Sequence, residues 1–467
     1  MPEFASLGGV SAVRAVAGLL ADPLRATRHL VDRHGPFVRI GFPAGLVKAP
    51  SVLHLARAEL AEAVLKNHAI FRNGGIIVRG KSGGGGHHNA LAKHYFNSRG
   101  IEHEHYSKLL GPHFRRACVD EMSGVIASTV REELGGWKSG ELIDFTDHVG
   151  RLMKKLASRA LHRDPDEQVA LRAADMIEQH ARLGAPTVTS VISGRFGHAL
   201  NTAVHRQADR TYRAILDWAA TRNGLPADRD LMSTIVHSRD EFGNPPSPDR
   251  VAGYGWIMLG AAYDTSASVL NWLIVLLALH PEVADRLYRE IVGAPFDVET
   301  DLAATMELPY LDAVVREALR LVPPAPLQRR NATVDADICG CEVARGSQIF
   351  ISAWMVNRDG ERYPRPDRFD PDRWDGMKRS PFEWLTFSAG PRRCLGFWFA
   401  FAFLKATLAN IVARWRPEIP GGTRIGMKLA VTVRPDPGLP VVLRPQDGAF
   451  SRAEIGGGFR DHLRLAE

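Results

Sequence analysis

The segment Phe387-Ser-Ala-Gly390-Pro-Arg392-Arg-Cys394-Leu-Gly396 gathers several chemically capable residues in one short run. A cysteine just before a helix sees the positive end of the helix dipole, which lowers its pKa and favours thiolate. Gly390 and Gly396 let the backbone come close to a large flat ligand, and Arg392 offers a fork to a carboxylate. A thiolate held this way can ligate haem iron from one face and push electron density toward O–O cleavage. The same residues suit a buried structural cysteine equally well. A second candidate is Asp264-Thr265, set inside the apolar stretch Val251 to Leu279. A buried Asp is costly unless it has a partner or a task. The plain alternative is a Thr hydroxyl bonded back to the carbonyl four residues earlier.

Three other patterns carry less. Gly75-Ile-Ile-Val-Arg-Gly80-Lys81-Ser82 fits the phosphate-loop spacing, but that chemistry needs a strand before the loop and a helix after it. Here a helical segment precedes, and the four glycines Gly83 to Gly86 cannot open a stable helix. His87, His88, His94, His103 and His105 are dense, yet no spacing gives a helical ligand pair with an acidic base, and a solvated loop is expected. Cys339-Gly-Cys341 lacks a second ligand pair and reads as ordinary strand residues. Glu317 and Arg320 share one helix face at i and i+3, where a surface ion pair is the plain reading.

These residues need a scaffold, and the hydrophobic periodicity supplies one. Helical patterns cover Glu102–Leu134, Val149–Leu161, Val169–Leu183, His205–Thr221, Leu308–Val322 and Gly396–Trp415, after a strand and helix across Val52–His68. The stretch from Val251 is apolar on nearly every side, which marks a central buried helix with Asp249 as its expected N-cap. Short strands follow the break Pro323–Leu327, at Asp337–Val343, Gln348–Ala353, Val431–Arg434 and Leu439–Leu443. The expected class is mainly α with small β-sheets. Helical and sheet segments interleave, so residues 1–467 read as one domain, with 1–21 as an N-terminal extension and 446–467 as a C-terminal tail.

Composition sets the outer bounds. Hydrophobic residues are 45% and charged residues 24% of the 467, enough for a sizeable core and too apolar for a disordered chain. The net charge of +7 is a mild basic excess, better suited to an acidic protein partner than to nucleic acid. Four scattered cysteines make no disulfide framework, and reduced thiols in the cytoplasm are expected. The run Val10 to Leu20 is too short to span a bilayer and is broken by Arg14. No membrane span is expected.

The segment from Phe387 to Gly396 meets every fixed position of F-x-x-G-x-R-x-C-x-G, and by it the chain resembles the cytochrome P-450 family of haem-thiolate monooxygenases, in its bacterial form. Other family motifs fall in the same order. Ala261-Ala262-Tyr263-Asp264-Thr265-Ser266 resembles the oxygen-activation segment, with Ala262 where the family usually has Gly. Glu317-x-x-Arg320 resembles the family's buried pair, which couples to a meander, here Phe369-Asp-Pro371-Asp-Arg373-Trp374 with Trp in place of Phe. Arg330-Asn-Ala332-Thr-Val-Asp335 resembles R-x-A-x-x-D. Gly100-Ile-Glu-His103 resembles a motif whose Arg position is Ser107 here, with Lys108 adjacent.

The resemblance implies a single haem b domain, with Cys394 as axial iron ligand, Arg392 and Arg330 on the propionates, and Phe387, Gly390 and Gly396 shaping the cysteine loop. It implies that Asp264 and Thr265 relay protons, and that His103 with Ser107 or Lys108 holds one propionate. Ala261, Ala262, Val322 and Leu327 would line a pocket for a lipophilic substrate. The implied reaction inserts one oxygen atom from O2, with electrons from NAD(P)H through a ferredoxin-type or flavodoxin-type partner. Arg115, Arg116, Lys378, Arg379 and Arg393 lie in segments the family places on the partner-facing side. A monomer is expected. Peroxygenase, desaturase or isomerase chemistry on the same haem, or a non-enzymatic haem sensor, are the alternative readings.

Overall fold

In the computed structural model, which describes residues 4–41, 50–73, 86–98, 100–164, 166–184, 198–240 and 242–463, the apolar stretch forms one unbroken helix, Pro248–Leu279. At 1.5 Å per residue it runs about 48 Å, and it is buried on almost every side. The cap is Ser247, whose side chain accepts from Arg250 N, with Pro248 at the first helical position, where a missing N–H costs nothing. Asp249 instead sits in the first turn and pairs with Lys93 Nζ at 2.7 Å. Polar residues inside the helix have partners: Ser268 Oγ and Trp272 Nε1 both donate to Val433 O. Thr146 donates to Asn271 Oδ1.

Around this axis pack Phe145–Leu156, Glu167–Gly184, His198–Ala220, Pro309–Leu321 and Phe397–Arg414. Gly253 lets a turn lie directly on the central helix, because a Cβ there would stand 2.3 Å from Lys93 O. The main sheet has six strands in the order Ala5–Leu7, Phe37–Gly41, Ser51–Leu55, Gln348–Ser352, Leu327–Ala332 and Phe71–Asn73. A three-stranded sheet joins Trp415–Glu418, Pro440–Pro445 and Leu142–Asp144. Two hairpins complete the β content. Val433–Asp436 pairs with Gly426–Leu429, so the two C-terminal strands foreseen in sequence belong to different sheets.

Both chain ends are built in. Ala5–Leu7 runs parallel to Phe37–Gly41. Phe459 and Leu463, in the segment read as a tail, are fully buried. His462 Nε2 bonds Asp22 Oδ2 at 2.8 Å, and Arg28 reaches His462 O while gripping Asp367. Among the described residues, two helices, Pro248–Leu279 and Phe397–Arg414, are long and apolar enough to cross a membrane. Their apolar windows are 78% and 72% buried, which makes them core helices.

Candidate active site

The helix Phe397–Arg414 begins directly after Gly396, and the loop leading into it holds Cys394 by its backbone, N–H donating to Phe387 O at 2.8 Å. Phe387 anchors that loop against Phe397, Trp384 and Phe401, with ring centroids 4.8–5.8 Å apart. Gly390 adopts φ +70°, and a Cβ there would meet Leu65 O at 2.8 Å. Its close approach among the described residues is to the helix Ala58–Lys66. Gly396 has the thiol as the nearest neighbour of an added Cβ, Sγ lying at 3.9 Å.

Cys394 is exposed to solvent, although protein atoms crowd around it. Burial pushes its pKa up, against the Gly396 N–H and Arg393, which pull it down. The helix-end argument for a ready-made thiolate is thus outweighed in the protein alone. A coordinated metal would deprotonate it outright.

In the middle of the buried helix, Ala261, Ala262 and Thr265 are only half-buried, and so is Leu327 at the start of its strand. On the helix, Ala261, Ala262 and Thr265 interrupt an otherwise buried run. Val322 does not join them; it is 1% exposed and locked in the core. Thr265 Oγ1 donates to Ala261 O at 2.9 Å, the back-bond foreseen as the plain alternative. Asp264 turns elsewhere. One oxygen accepts from Thr432 Oγ1 at 3.0 Å and the other pairs with Arg434. Burial pushes the Asp264 pKa up, and Arg434 only partly restrains it. With Lys154, Glu178 and Thr146 this pair lines a cleft of about 220 Å³. The structure therefore does not bring Asp264 and Thr265 into contact.

Arg392 and Arg330 come together. Arg330 is buried, and burial with the nearby Arg392 charge lowers its pKa to about 10. Arg392 donates to Tyr95 O and Ser98 O at 3.2 and 2.6 Å. Neither has a carboxylate partner among the described residues. Two neighbouring guanidiniums without a carboxylate fit a ligand that brings its own, as a haem with two propionates does. His103 is buried nearby, its pKa lowered to about 4 by burial, Arg392 and His68. Ser107 Oγ bonds both His103 Nε2 and Tyr95 Oη. Lys108 is exposed, whereas the His103–Ser107–Tyr95 cluster is built from buried and half-buried side chains.

Glu317 and Arg320 are fully buried and form a bidentate pair at 2.8 Å. Glu317 also accepts from Arg373, Trp374 Nε1 and Asp370 N. Arg320 reaches the carbonyls of Asn357, Pro366 and Arg368. The histidines foreseen as a solvated loop are not one: His94 and His103 are buried, and His88 Nδ1 stands 3.3 Å from His180 Nε2. The phosphate-loop look-alike 75–82 lies outside the described residues. Cys339 and Gly340, at φ +50° and +89°, form an ordinary hairpin turn. Arg434, Thr432, Tyr95 and Ser98 went unnoticed in sequence; only the Thr and Arg flanking a strand hinted at anything polar there.

The family model for cytochrome P-450 matches residues 158–440. A cyclooctat-9-en-7-ol 5-monooxygenase of Streptomyces melanosporofaciens is 28% identical over 94% of both chains. A pentalenene oxygenase of Streptomyces avermitilis is 26% identical over 88% of this chain and 90% of its own. Among solved structures, a cyanobacterial protein with retinoic acid bound aligns with TM-score 0.75 at 20% identity, over 90% of this chain and 93% of its own. The cysteine loop, the buried Glu317–Arg320 pair and the match across more than half the chain lead to one conclusion: this chain belongs to the cytochrome P-450 family, as a haem-thiolate monooxygenase of bacterial type.

Proposed function

We propose that the chain inserts one oxygen atom from O2 into a cyclic, largely hydrocarbon substrate of the kind its Streptomyces relatives are named for, cyclooctat-9-en-7-ol and pentalenene. The observations that carry this reading are an exposed Cys394 in the loop before its helix and half-buried Ala261, Ala262 and Thr265 on a helix otherwise buried. When bound, the haem supplies dioxygen activation, which no side chain can perform alone. The residues supply the rest. Cys394 offers its sulfur to the iron, and Phe387 with Gly396 shapes the loop around it. Arg392 and Arg330 meet the propionates. Ala261, Ala262 and Leu327 offer an apolar wall to the substrate. Thr265 holds a proton at Oγ1, donated to Ala261 O, and Asp264 lines the cleft with its carboxylate held by Thr432 and Arg434.

Electrons come from NAD(P)H through a small acidic ferredoxin-type or flavodoxin-type protein in the cytoplasm. Arg115, Arg116, Lys378 and Arg393 are exposed; Arg393 lies over the Phe397 ring at 4.9 Å and Arg116 over the Trp398 ring at 5.4 Å. Arg379 is spent inside the fold, donating to Arg362 O and lying over Tyr363. Reduction should slow as salt screens the encounter; a rate flat in ionic strength excludes this docking.

The test of the central reading is the reduced carbon-monoxide complex. The parent should show the strongly red-shifted Soret band of thiolate ligation, and Cys394→His should lose it. Cys118→Ser, Cys339→Ser and Cys341→Ser should keep it. A red-shifted band surviving in Cys394→His refutes the assignment.

A further inference from the structure

A haem propionate is a full negative charge, and leaving it without donors in a partly buried place is costly. Where the family motif carries an Arg, this chain carries Ser107. The adjacent Lys108 is exposed. His103, one helical turn before Ser107, is 4% exposed, with its pKa lowered to about 4. Burial, with the Arg392 and His68 charges, thus disfavours a charged imidazole here.

What the structure builds at this place is a line of three polar atoms. His103 Nε2 and Ser107 Oγ are 3.3 Å apart, and Ser107 Oγ and Tyr95 Oη are 3.0 Å apart. The Tyr95 and His103 rings lie against each other at 5.0 Å between centroids. Tyr95 is 6% exposed and its ring is held from behind, because Arg392 donates to its carbonyl oxygen. The turn that carries it, Tyr95–Asn97, follows directly on the segment seated over Gly253. The Tyr95 hydroxyl lies close enough to Arg392 and Cys394 for both to bear on its titration, although burial is the larger influence and raises its pKa. The Arg392 bonds to Tyr95 O and Ser98 O set the turn that carries the phenol against the cysteine loop.

A neutral histidine with its proton on Nε2 donates to Ser107, and Ser107 then donates to Tyr95. That order leaves one proton at the end of the line, on the tyrosine hydroxyl. We propose that Tyr95 donates this proton in a hydrogen bond to a haem propionate, as the outer member of a neutral chain His103–Ser107–Tyr95 that replaces the missing cation. The inference rests on the haem reading above and adds to it a residue outside the matched motifs. Asn97 and Ser98, its neighbours on the turn, have other partners: Asn97 donates to Ala92 O and Ser98 to Tyr95 O.

The experiment is haem transfer from the holoenzyme to an apo-globin acceptor. Tyr95→Phe removes only the hydroxyl, and a hydrogen bond to a charged group is strong enough that haem loss should accelerate about tenfold or more. Ser107→Arg placed in the Tyr95→Phe background should restore slow transfer. Enzyme reconstituted with haem dimethyl ester, which has no propionate charge, should release its haem at nearly the same rate from parent and Tyr95→Phe. A parent that binds no haem defeats the underlying reading alone. Equal transfer of haem b from parent and Tyr95→Phe overturns the proposal, and so does an acceleration that persists undiminished with the dimethyl ester.

Discussion

Buried Asp264 and half-buried Arg434 form an ion pair that ties the middle of the central helix to the strand Val433–Asp436. Burial raises the Asp264 pKa even with Arg434 in place. Removing the guanidinium, as in Arg434→Leu, leaves an uncompensated carboxylate and should cost up to about 3–5 kcal/mol at neutral pH. A carboxyl with a raised folded-state pKa binds its proton more tightly folded than unfolded, so acidification through that pKa favours the folded state. The deficit in thermal stability of Arg434→Leu should therefore shrink as pH falls below neutrality. A deficit constant across pH would trace it to lost packing.

Thr265 differs from its neighbours in being reachable from the interior while its hydroxyl is parked on Ala261 O. Thr265→Ala should still bind substrate and consume NADH. Organic product per NADH should fall about tenfold or more, a modest share of what a positioned proton donor contributes, with peroxide or water taking up the difference. Unchanged product yield would remove the hydroxyl from proton delivery.

Trp374 donates its indole N–H to Glu317 Oε2 at 3.0 Å, a bond that the phenylalanine usual at this place could not make. Trp374→Phe should lower unfolding free energy by about 1.5–3 kcal/mol, the range for a hydrogen bond to a charged group. Glu317→Ala should cost more, about 3–5 kcal/mol, because Arg320 would be left buried without its counter-charge. Denaturant titration of the two variants gives the order; Trp374→Phe as damaging as Glu317→Ala would contradict it.

The bond between His462 and Asp22 is pH-dependent in a definite sense. Burial alone would lower the His462 pKa, but Asp22 outweighs it and raises it. Asp22, for its part, is lowered by the His462 and Arg25 bonds against a burial effect that would raise it. A raised histidine gives stability that is complete below its unfolded pKa and is lost as pH rises through the folded one. A lowered aspartate gives stability that is lost as pH falls through its folded pKa. The clasp is thus firmest in mildly acidic solution and loosens above neutrality. Limited proteolysis of the segment after Gly448 should speed up from pH 6 to pH 8.5 in the parent. In His462→Gln it should be insensitive to pH over that range; equal pH dependence in both would dismiss the clasp.

The site was legible in sequence where its chemistry is contiguous. Phe387 to Gly396 is one run of backbone, and residue type pointed to the helix after Gly396 and to a cysteine at its start, while only the family resemblance favoured an iron ligand over a structural cysteine. Glu317 and Arg320 were visible only through family resemblance, since i and i+3 charges on a helix usually face water. Helix periodicity found the central helix but misplaced its cap by two residues, because Ser247-Pro248 competes with Asp249 for the same role. The partners of Asp264 were out of reach, as Arg434 lies 170 residues downstream and nothing local marks it. Val322 shows the opposite error: an apolar residue at the right distance from a motif reads as a pocket wall, yet its side chain packs inward. The dense histidines misled for a similar reason, because burial of a neutral imidazole depends on what other helices place around it.

Arg330 and Arg392 stand near each other with no carboxylate to share among the described residues, and each carries a pKa lowered chiefly by burial. The polypeptide therefore folds toward a state that repels itself at one place until an anion arrives. Every tenfold excess of cofactor over its dissociation constant adds about 1.4 kcal/mol to the folded side. Cellular abundance of this protein should thus follow iron nutrition and porphyrin synthesis, because chains made ahead of their cofactor open more often and are cleared by proteases.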